Sequence, residues 1–109
     1  MFGSKMSKVE KAIEKKDAKK LIALADYRDK EVFLAAITGL GRVGGDDATN
    51  YLTTLIQSNE SGTRIAVAQA LGMIGDRHTK AFLSAQLGKE TEPKVRDAIS
   101  AAMAEIKGY

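Results

Sequence analysis

Leu40-Gly41-Arg42-Val43-Gly44 recurs 31 residues later as Leu71-Gly72-Met73-Ile74-Gly75. At the same offset Ala35 aligns with Ala66, Tyr51 with Phe82, Leu52 with Leu83 and Ile56 with Leu87. Upstream, Leu21 and Leu24 stand 31 residues before Leu52 and Leu55. A third copy begins at an offset of 32, where Arg64, Ala66, Leu71 and Ile74 align with Arg96, Ala98, Met103 and Ile106. The period covers nearly the whole chain. A unit of this length cannot bury its apolar face alone, so the copies must stack.

Each copy reads as two helices. Ile65, Ala68, Leu71 and Ile74 form an apolar stripe at roughly helical spacing, and Gly75 follows as a helix stop. Phe82, Leu83 and Leu87 carry the second element after the polar turn Asp76-Arg77-His78-Thr79. Polar breaks recur at 58–62 and 88–93, and no stretch alternates with period two long enough to be a strand. The spacing predicts an all-α chain of about seven helices, over 5–16, 17–25, 30–44, 47–58, 62–75, 78–88 and 93–107. Pro93 suits the first turn of the last helix. The second helix of each pair is expected to start at a polar cap: Asp17, then Asp46 or Asp47, then Asp76 or His78. Stacked, these helices form a short right-handed α-solenoid, one domain over 1–109. It divides into a degenerate N-terminal cap at 5–25, repeats at 30–58 and 62–88, and a terminal half-repeat at 93–107.

Composition narrows the function classes. A chain of 109 residues with 44% hydrophobic and 28% charged residues suits one domain. Folding should bury roughly two-thirds of the unfolded surface, so no staples are needed. The absence of Cys excludes disulfides, thiolate metal sites and cysteine nucleophiles, and the single His excludes an all-histidine zinc site. No apolar run approaches a membrane span and no signal-peptide core follows the first residues, so the expectation is a soluble cytoplasmic protein without membrane contact. Charge is uneven: residues 1–30 carry nine Lys and Arg against five Asp and Glu, whereas residues 31–60 carry one against four. Lys5, Lys8, Lys11, Lys15, Lys16, Lys19 and Lys20 supply most of the basic excess, which reads first as a solvated helix face.

The string Thr63-Arg64-Ile65-Ala66-Val67-Ala68-Gln69-Ala70-Leu71-Gly72-Met73-Ile74-Gly75-Asp76 resembles the repeat of the HEAT-like family related to phycobilisome lyases. That pattern runs from a Val-Arg pair through small residues to Ala-Leu-Gly-x-Ile-Gly-Asp. Val95-Arg96 matches the pair, with Ala98 and Ala102 in small positions. Phe33 follows Val32 where Arg should stand, and Ala104 and Lys107 replace the two glycines of the last copy. Degenerate terminal copies are usual in stacked repeats. The resemblance implies that Arg64 and Arg96 form a structural ladder with acids of a neighbouring repeat, Asp29 or Glu31 and Glu60 being placed to serve.

Several motifs suggest chemistry and are better explained by the repeat. Gly39-Leu40-Gly41-Arg42-Val43-Gly44 is a literal G-x-G-x-x-G, yet a dinucleotide fingerprint follows a strand and opens a helix. Here the glycines close one: Gly41 and Gly72 permit close helix approach, and Gly44 and Gly75 supply left-handed caps. Asp46-Asp47 reads as a helix start and His78 as a surface turn residue. Phe2, Tyr27, Phe33, Tyr51, Phe82 and Tyr109 are scattered, with Tyr51 and Phe82 in equivalent core positions. They do not interleave with basic residues as a single-strand stacking surface does.

The expected function is therefore a non-enzymatic protein-interaction or scaffold module, needing no cofactor or metal, with an unidentified protein partner. Second helices usually line the concave side of such a solenoid. Lys19, Lys20, Asn50, Thr54 and Gln57 are the expected partner-binding residues, with Ala23, Ala81 and Ala85 also exposed. Met103 and Ile106 on the last helix lack a covering second helix, so this end is expected to self-associate or to dock a partner. Two alternatives come from other classes. One is a bilin-lyase-like subunit or chromophore-binding protein, implied by the resemblance, although no acid–base or nucleophilic constellation is evident. The other is nucleic-acid binding through the basic N-terminal helices, disfavoured because the middle of the chain is acidic.

Overall fold

Leu21, Leu52 and Leu83, spaced by 31 residues, are all completely buried. Ala36, Val67 and Ile99 form a second fully buried row. The sequence period is thus a spatial period of the core. The rows belong to a computed structural model that describes residues 4–107; Phe2 and Tyr109 lie outside the described residues. It contains α1 (Ser4–Glu14), α2 (Ala18–Leu24), α3 (Lys30–Val43), α4 (Gly45–Leu55), α5 (Ser61–Ile74), α6 (Lys80–Lys89) and α7 (Pro93–Glu105). A 3-10 turn, Arg77–Thr79, precedes α6, and there is no strand among the described residues.

The helices form an all-α solenoid two layers thick. α1, α3, α5 and α7 pack side by side in one layer, while α2, α4 and α6 form the other. The Cα extents are 42 × 27 × 17 Å, those of a slab one helix long and two helices deep. Fully burying one leucine stabilises the fold by about 1.5–3 kcal/mol, so rows such as Leu21, Leu52 and Leu83 hold the layers together. The Ile65–Ala68–Leu71–Ile74 stripe is shifted from expectation. α5 is sandwiched between α3 and α7, so Val67 and Ala70 join Ala68 and Leu71 of that stripe as its deepest positions, whereas Ile65 and Ile74 are half-buried on its flanks.

Helix starts follow the predicted chemistry in part. The Asp17 carboxylate accepts from the Lys20 N–H at 3.0 Å and caps α2, and Asp29 caps α3 through the Val32 N–H. Asp76 caps the 3-10 turn through the His78 N–H at 2.9 Å, so it does not cap α6 itself. Neither Asp46 nor Asp47 caps α4. Gly44 occupies that position without a side-chain bond, and both aspartates lie in the first turn beside the positive end of the helix dipole. Gly44 and Gly45, with φ of 71° and 89°, reverse the chain between α3 and α4 with no intervening loop. Gly44 has ψ −160°, outside the left-handed helical basin, whereas Gly75 occupies that basin as predicted.

Close approach in the first layer depends on two glycines. A Cβ on Gly41 would lie 2.9 Å from the Ala70 Cα, and one on Gly72 would lie 3.0 Å from the Ala102 Cα. Both neighbours are backbone atoms of an adjacent helix and cannot swing aside. At Gly88 a Cβ would meet nothing within 4 Å. Helix propensity alone favours Ala over Gly by about 1 kcal/mol, and overpacking a tight contact costs about 1–3 kcal/mol. Gly41→Ala is therefore expected to lower unfolding stability by about 1 kcal/mol or more, while Gly88→Ala raises it by less than about 1 kcal/mol. Urea titrations of the two variants check the opposite signs.

Candidate functional site: the second-helix face and the Arg64 clamp

The second layer presents one row of polar side chains to solvent. Lys19 and Lys20 lie on α2, Asn50 and Thr54 on α4, and Gln57 just beyond α4; all five are exposed. α2 packs against α4, which brings the first four onto adjoining helices. Neither lysine makes an ion pair with a described residue. The Thr54 hydroxyl donates to the Tyr51 carbonyl at 2.6 Å, which leaves its oxygen free to accept. Ala23, Ala81 and Ala85 are exposed as expected.

Phe82 departs from its predicted place. Tyr51 is half-buried, but Phe82 is 54% exposed. The repeat register holds, since Leu52 and Leu83 are both completely buried; the surroundings differ. α6 stands apart from α4 and buries only Leu83 and Gln86, so its outward flank is uncovered. A polar cleft of about 350 Å³ separates the ends of these helices, lined by Gln57, Asn59, Arg64, Gln86 and Lys89 among others.

Arg64 is the centre of a dense polar cluster among the described residues, in which the buried Gln86 Oε1 has no partner. Its Nε donates to Glu90 Oε1 at 2.9 Å, and its Nη2 donates to Glu90 Oε2 at 3.0 Å and Glu92 Oε2 at 2.9 Å. Its Nη1 donates to the Ser58 carbonyl at 2.7 Å. The Glu90 carboxylate also accepts from Gln86 Nε2 at 3.1 Å and from the Glu92 N–H at 3.4 Å. The two side chains are only 11% and 3% exposed. From the other side, Arg96 Nη1 donates to the Leu87 and Glu90 carbonyls at 2.8 and 2.9 Å. The loop between α6 and α7 is thus gripped by two arginines.

This network corrects the predicted ladder. Asp29 is spent on the α3 cap, Glu60 pairs with Lys30 at 3.6 Å, and Glu31 makes no ion pair among the described residues. Arg64 reaches forward instead, because the first turn of α5 lies beside the loop that leads into its neighbour α7. Glu90 and Glu92 stand in the polar break at 88–93, but sequence offset alone does not tell a forward partner from a backward one. Where the first copy has Phe33, an aromatic contact replaces the arginine: Phe33 is buried against Tyr27 at a centroid distance of 4.4 Å.

The remaining motifs fall where no chemistry gathers. Gly39 and Gly41 lie inside α3 rather than after a strand, which removes the dinucleotide reading of 39–44. Asp46 and Asp47 are exposed, and His78 Nδ1 sits 3.1 Å from Asp76 Oδ1. No group of His, Asp and Glu able to hold a metal occurs among the described residues. Ile106 is 2% exposed and belongs to the core, contrary to its predicted place on a self-association surface. The chain turns out of α7 at that residue, whose N–H bonds to the Ala102 carbonyl, and the side chain folds inward. Met103 is half-buried.

Helix pairs in two layers, glycine contacts at one repeat position and a first-turn arginine are the parts of a known repeat. The family profile described as HEAT repeats matches residues 18–104. The chain belongs to the HEAT-repeat family. HEAT repeats generally mediate protein interactions or scaffolding, and the family is typically non-enzymatic. No curated protein and no solved structure matches the chain. No helix among the described residues is long and apolar enough to cross a membrane.

In this HEAT unit the Arg64–Glu90 pair sets a pH dependence. Arg64 first, then the Gln86 amide and the Glu92 N–H, hold the Glu90 carboxyl down to about 2 from 4.5, against the opposing effect of burial. A depressed carboxylate contributes stability that is complete above its unfolded value and is lost as pH falls toward its folded value. Glu90→Gln is therefore expected to destabilise the protein at neutral pH by about 2–3 kcal/mol, Arg64 keeping Glu92 and the Ser58 carbonyl. The difference from the parent should shrink as pH is lowered from 4.5 toward 2, which urea unfolding across that range measures.

Proposed function

We propose that this HEAT-repeat chain is a non-enzymatic protein-interaction or scaffold module of the cytoplasm that holds a partner segment against its second-helix face. Lys19, Lys20, Asn50, Thr54 and Gln57 are the residues proposed to make the contact. The observation that supports the reading is their shared exposure on adjoining elements, with cationic and amide groups that bind no other side chain among the described residues. The Arg64 cluster is the opposite case: each carboxylate and guanidinium there is engaged internally, which suits a structural part. Exposed Phe82, Ala81 and Ala85 extend the face with an apolar end, and partner surfaces favour such aromatic anchors.

The finer resemblance to the phycobilisome-lyase-related branch rests on the 63–76 string. A bilin-lyase-like role would have to use residues outside any acid–base cluster described above. An unchanged bilin absorbance spectrum on mixing with the protein is the expected result.

The partner reading is tested by affinity capture from host lysate, with and without nuclease. Substituting Lys19, Lys20, Asn50 and Thr54 together by Ala is expected to abolish capture of a nuclease-resistant partner while leaving unfolding stability within about 1 kcal/mol, as exposed positions allow. Unchanged capture by the variant overturns the face; capture that vanishes with nuclease puts nucleic acid first.

A further inference from the structure

A groove runs between α1 and α2 at the N-terminal end of the slab. It encloses about 330 Å³ and is lined by Lys8, Lys11, Ala12, Lys15, Asp17 and Lys20. Lys8 and Lys11 lie on α1 and Lys15 just past its end, where its N–H still bonds to the Lys11 carbonyl at 3.0 Å, so the three- and four-residue spacing sets them in one stripe. Lys20 faces them from α2. None of the four ammonium groups makes an ion pair with a described carboxylate. Asp17, the one acid in the groove, is engaged in capping α2. Glu10 is exposed and, at 3.6 residues per turn, is turned by about 100° or more from all three of Lys8, Lys11 and Lys15. Glu14, also exposed, is turned as far from Lys8 and Lys15 but stands about 60° from Lys11, with which it forms no ion pair.

This arrangement holds four like charges together, with Glu14 near Lys11 alone and no ion pair formed to any of the four among the described residues. Lys11 and Lys15 are four residues apart and Lys8 and Lys11 three, spacings at which like charges on a helix repel. The turn joining the two walls adds to it. Lys16 adopts φ 55°, with its N–H on the Ile13 carbonyl and the Asp17 N–H on the Ala12 carbonyl, a cap in which glycine is the usual residue. A lysine there carries a backbone cost that glycine would not, and it adds a further cation beside the groove.

We propose that this groove is the docking site for an acidic peptide segment of a partner protein, a run of Asp or Glu seated between Lys8, Lys11 and Lys15 on one wall and Lys20 on the other. The proposal rests on the protein-partner reading above and names the chemistry of the segment. Lys8 and Lys15 stand about 10 Å apart along the axis, at 1.5 Å per residue. An extended chain covers that distance with about four residues. Lysines supply point charges on flexible stems rather than a fixed bidentate fork, which suits a run of carboxylates in no single geometry. The charged track is also too short for a nucleic-acid backbone, since the adjoining row is neutral at Asn50, Thr54 and Gln57 and Asp46 and Asp47 are acidic. No aromatic residue lines the groove to stack a base.

Fluorescence anisotropy of the full chain with a labelled hexaglutamate peptide tests this, with hexaglutamine and a single-stranded oligonucleotide as comparisons. Lys8→Gln/Lys11→Gln/Lys15→Gln is expected to weaken hexaglutamate binding about tenfold or more, three exposed pairs acting together. Lys89→Gln/Lys94→Gln/Lys107→Gln, which removes the same charge elsewhere, should change it by less than about twofold. Circular dichroism checks that helix content is kept; if the triple variant loses it, Lys20→Gln on the other wall is read instead, with about a threefold loss expected. Equal losses in both triple variants, tighter binding of the oligonucleotide, or no saturable hexaglutamate binding would each overturn the proposal. If the peptide fails to bind while the Lys19/Lys20/Asn50/Thr54 variant still loses its partner, the groove reading fails alone. If that variant keeps its partner, the broader reading fails.

Discussion

Between α3 and α5, and again between α5 and α7, two backbones approach with only an alanine methyl between them. Gly41 lies against Ala70 and Gly72 against Ala102. Helices normally pack about 8–10 Å apart, at a distance set by the side chains at the crossing, so a glycine facing an alanine brings them to the near end. Because the two contacts fall at the same repeat position, successive first-layer helices share one offset. The leucine row of the second layer then stays in register, and the rows of Ala36, Val67 and Ile99 fill the space between layers. Everything that depends on reach across neighbouring repeats inherits this spacing.

The Arg64 clamp is the clearest case. An arginine in the first turn of α5 meets the loop before α7 only if those helices lie close and in step. Once there, it engages Glu90 in a bidentate pair and takes the Ser58 carbonyl with its remaining nitrogen. Arg96 repeats the local half of this geometry on the Glu90 carbonyl, six residues back as Ser58 is from Arg64. The first copy holds its loop by a different force, the stacking of Tyr27 on Phe33. One position in the repeat is therefore a loop anchor, and its chemistry can change from ionic to aromatic without loss of the architecture.

How much of this was legible in the sequence follows from which constraints are local. The repeat and the helix pairs are carried by apolar spacing, and each predicted helix is found, most ends lying within three residues of the prediction. The role of Gly41 and Gly72 could be read because a glycine inside an apolar stripe has few other uses. The misread features all depend on what lies next door. Phe82 has the same place in the repeat as Tyr51, but the second layer opens beside α6. Arg64 could pair forward or backward, and only the order of helices in the layer decides. Asp46 and Asp47 look like caps in sequence, whereas the corner made by Gly44 and Gly45 starts α4 one residue before them. Lys16 gave no signal, since the left-handed basin is written into sequence only when glycine or asparagine occupies it.

The division between engaged and unengaged charge bears most directly on function. At the C-terminal half, Glu90 collects four donors and Arg64 four acceptor contacts, so a ligand there would have to displace protein groups already in place. At the N-terminal end, Lys8, Lys11, Lys15 and Lys20 share a groove with one carboxylate that is committed to a helix cap. A densely bonded network holds its own groups in place, and a cluster of a single sign attracts the other. Because each unit of a stacked fold contacts only its neighbours, the two regimes can coexist in one short chain without either disturbing the other. The Arg64 clamp commits the charge of one end to internal bonds while the other gathers four lysines in a groove, and the proposed docking of an acidic segment rests on that asymmetry.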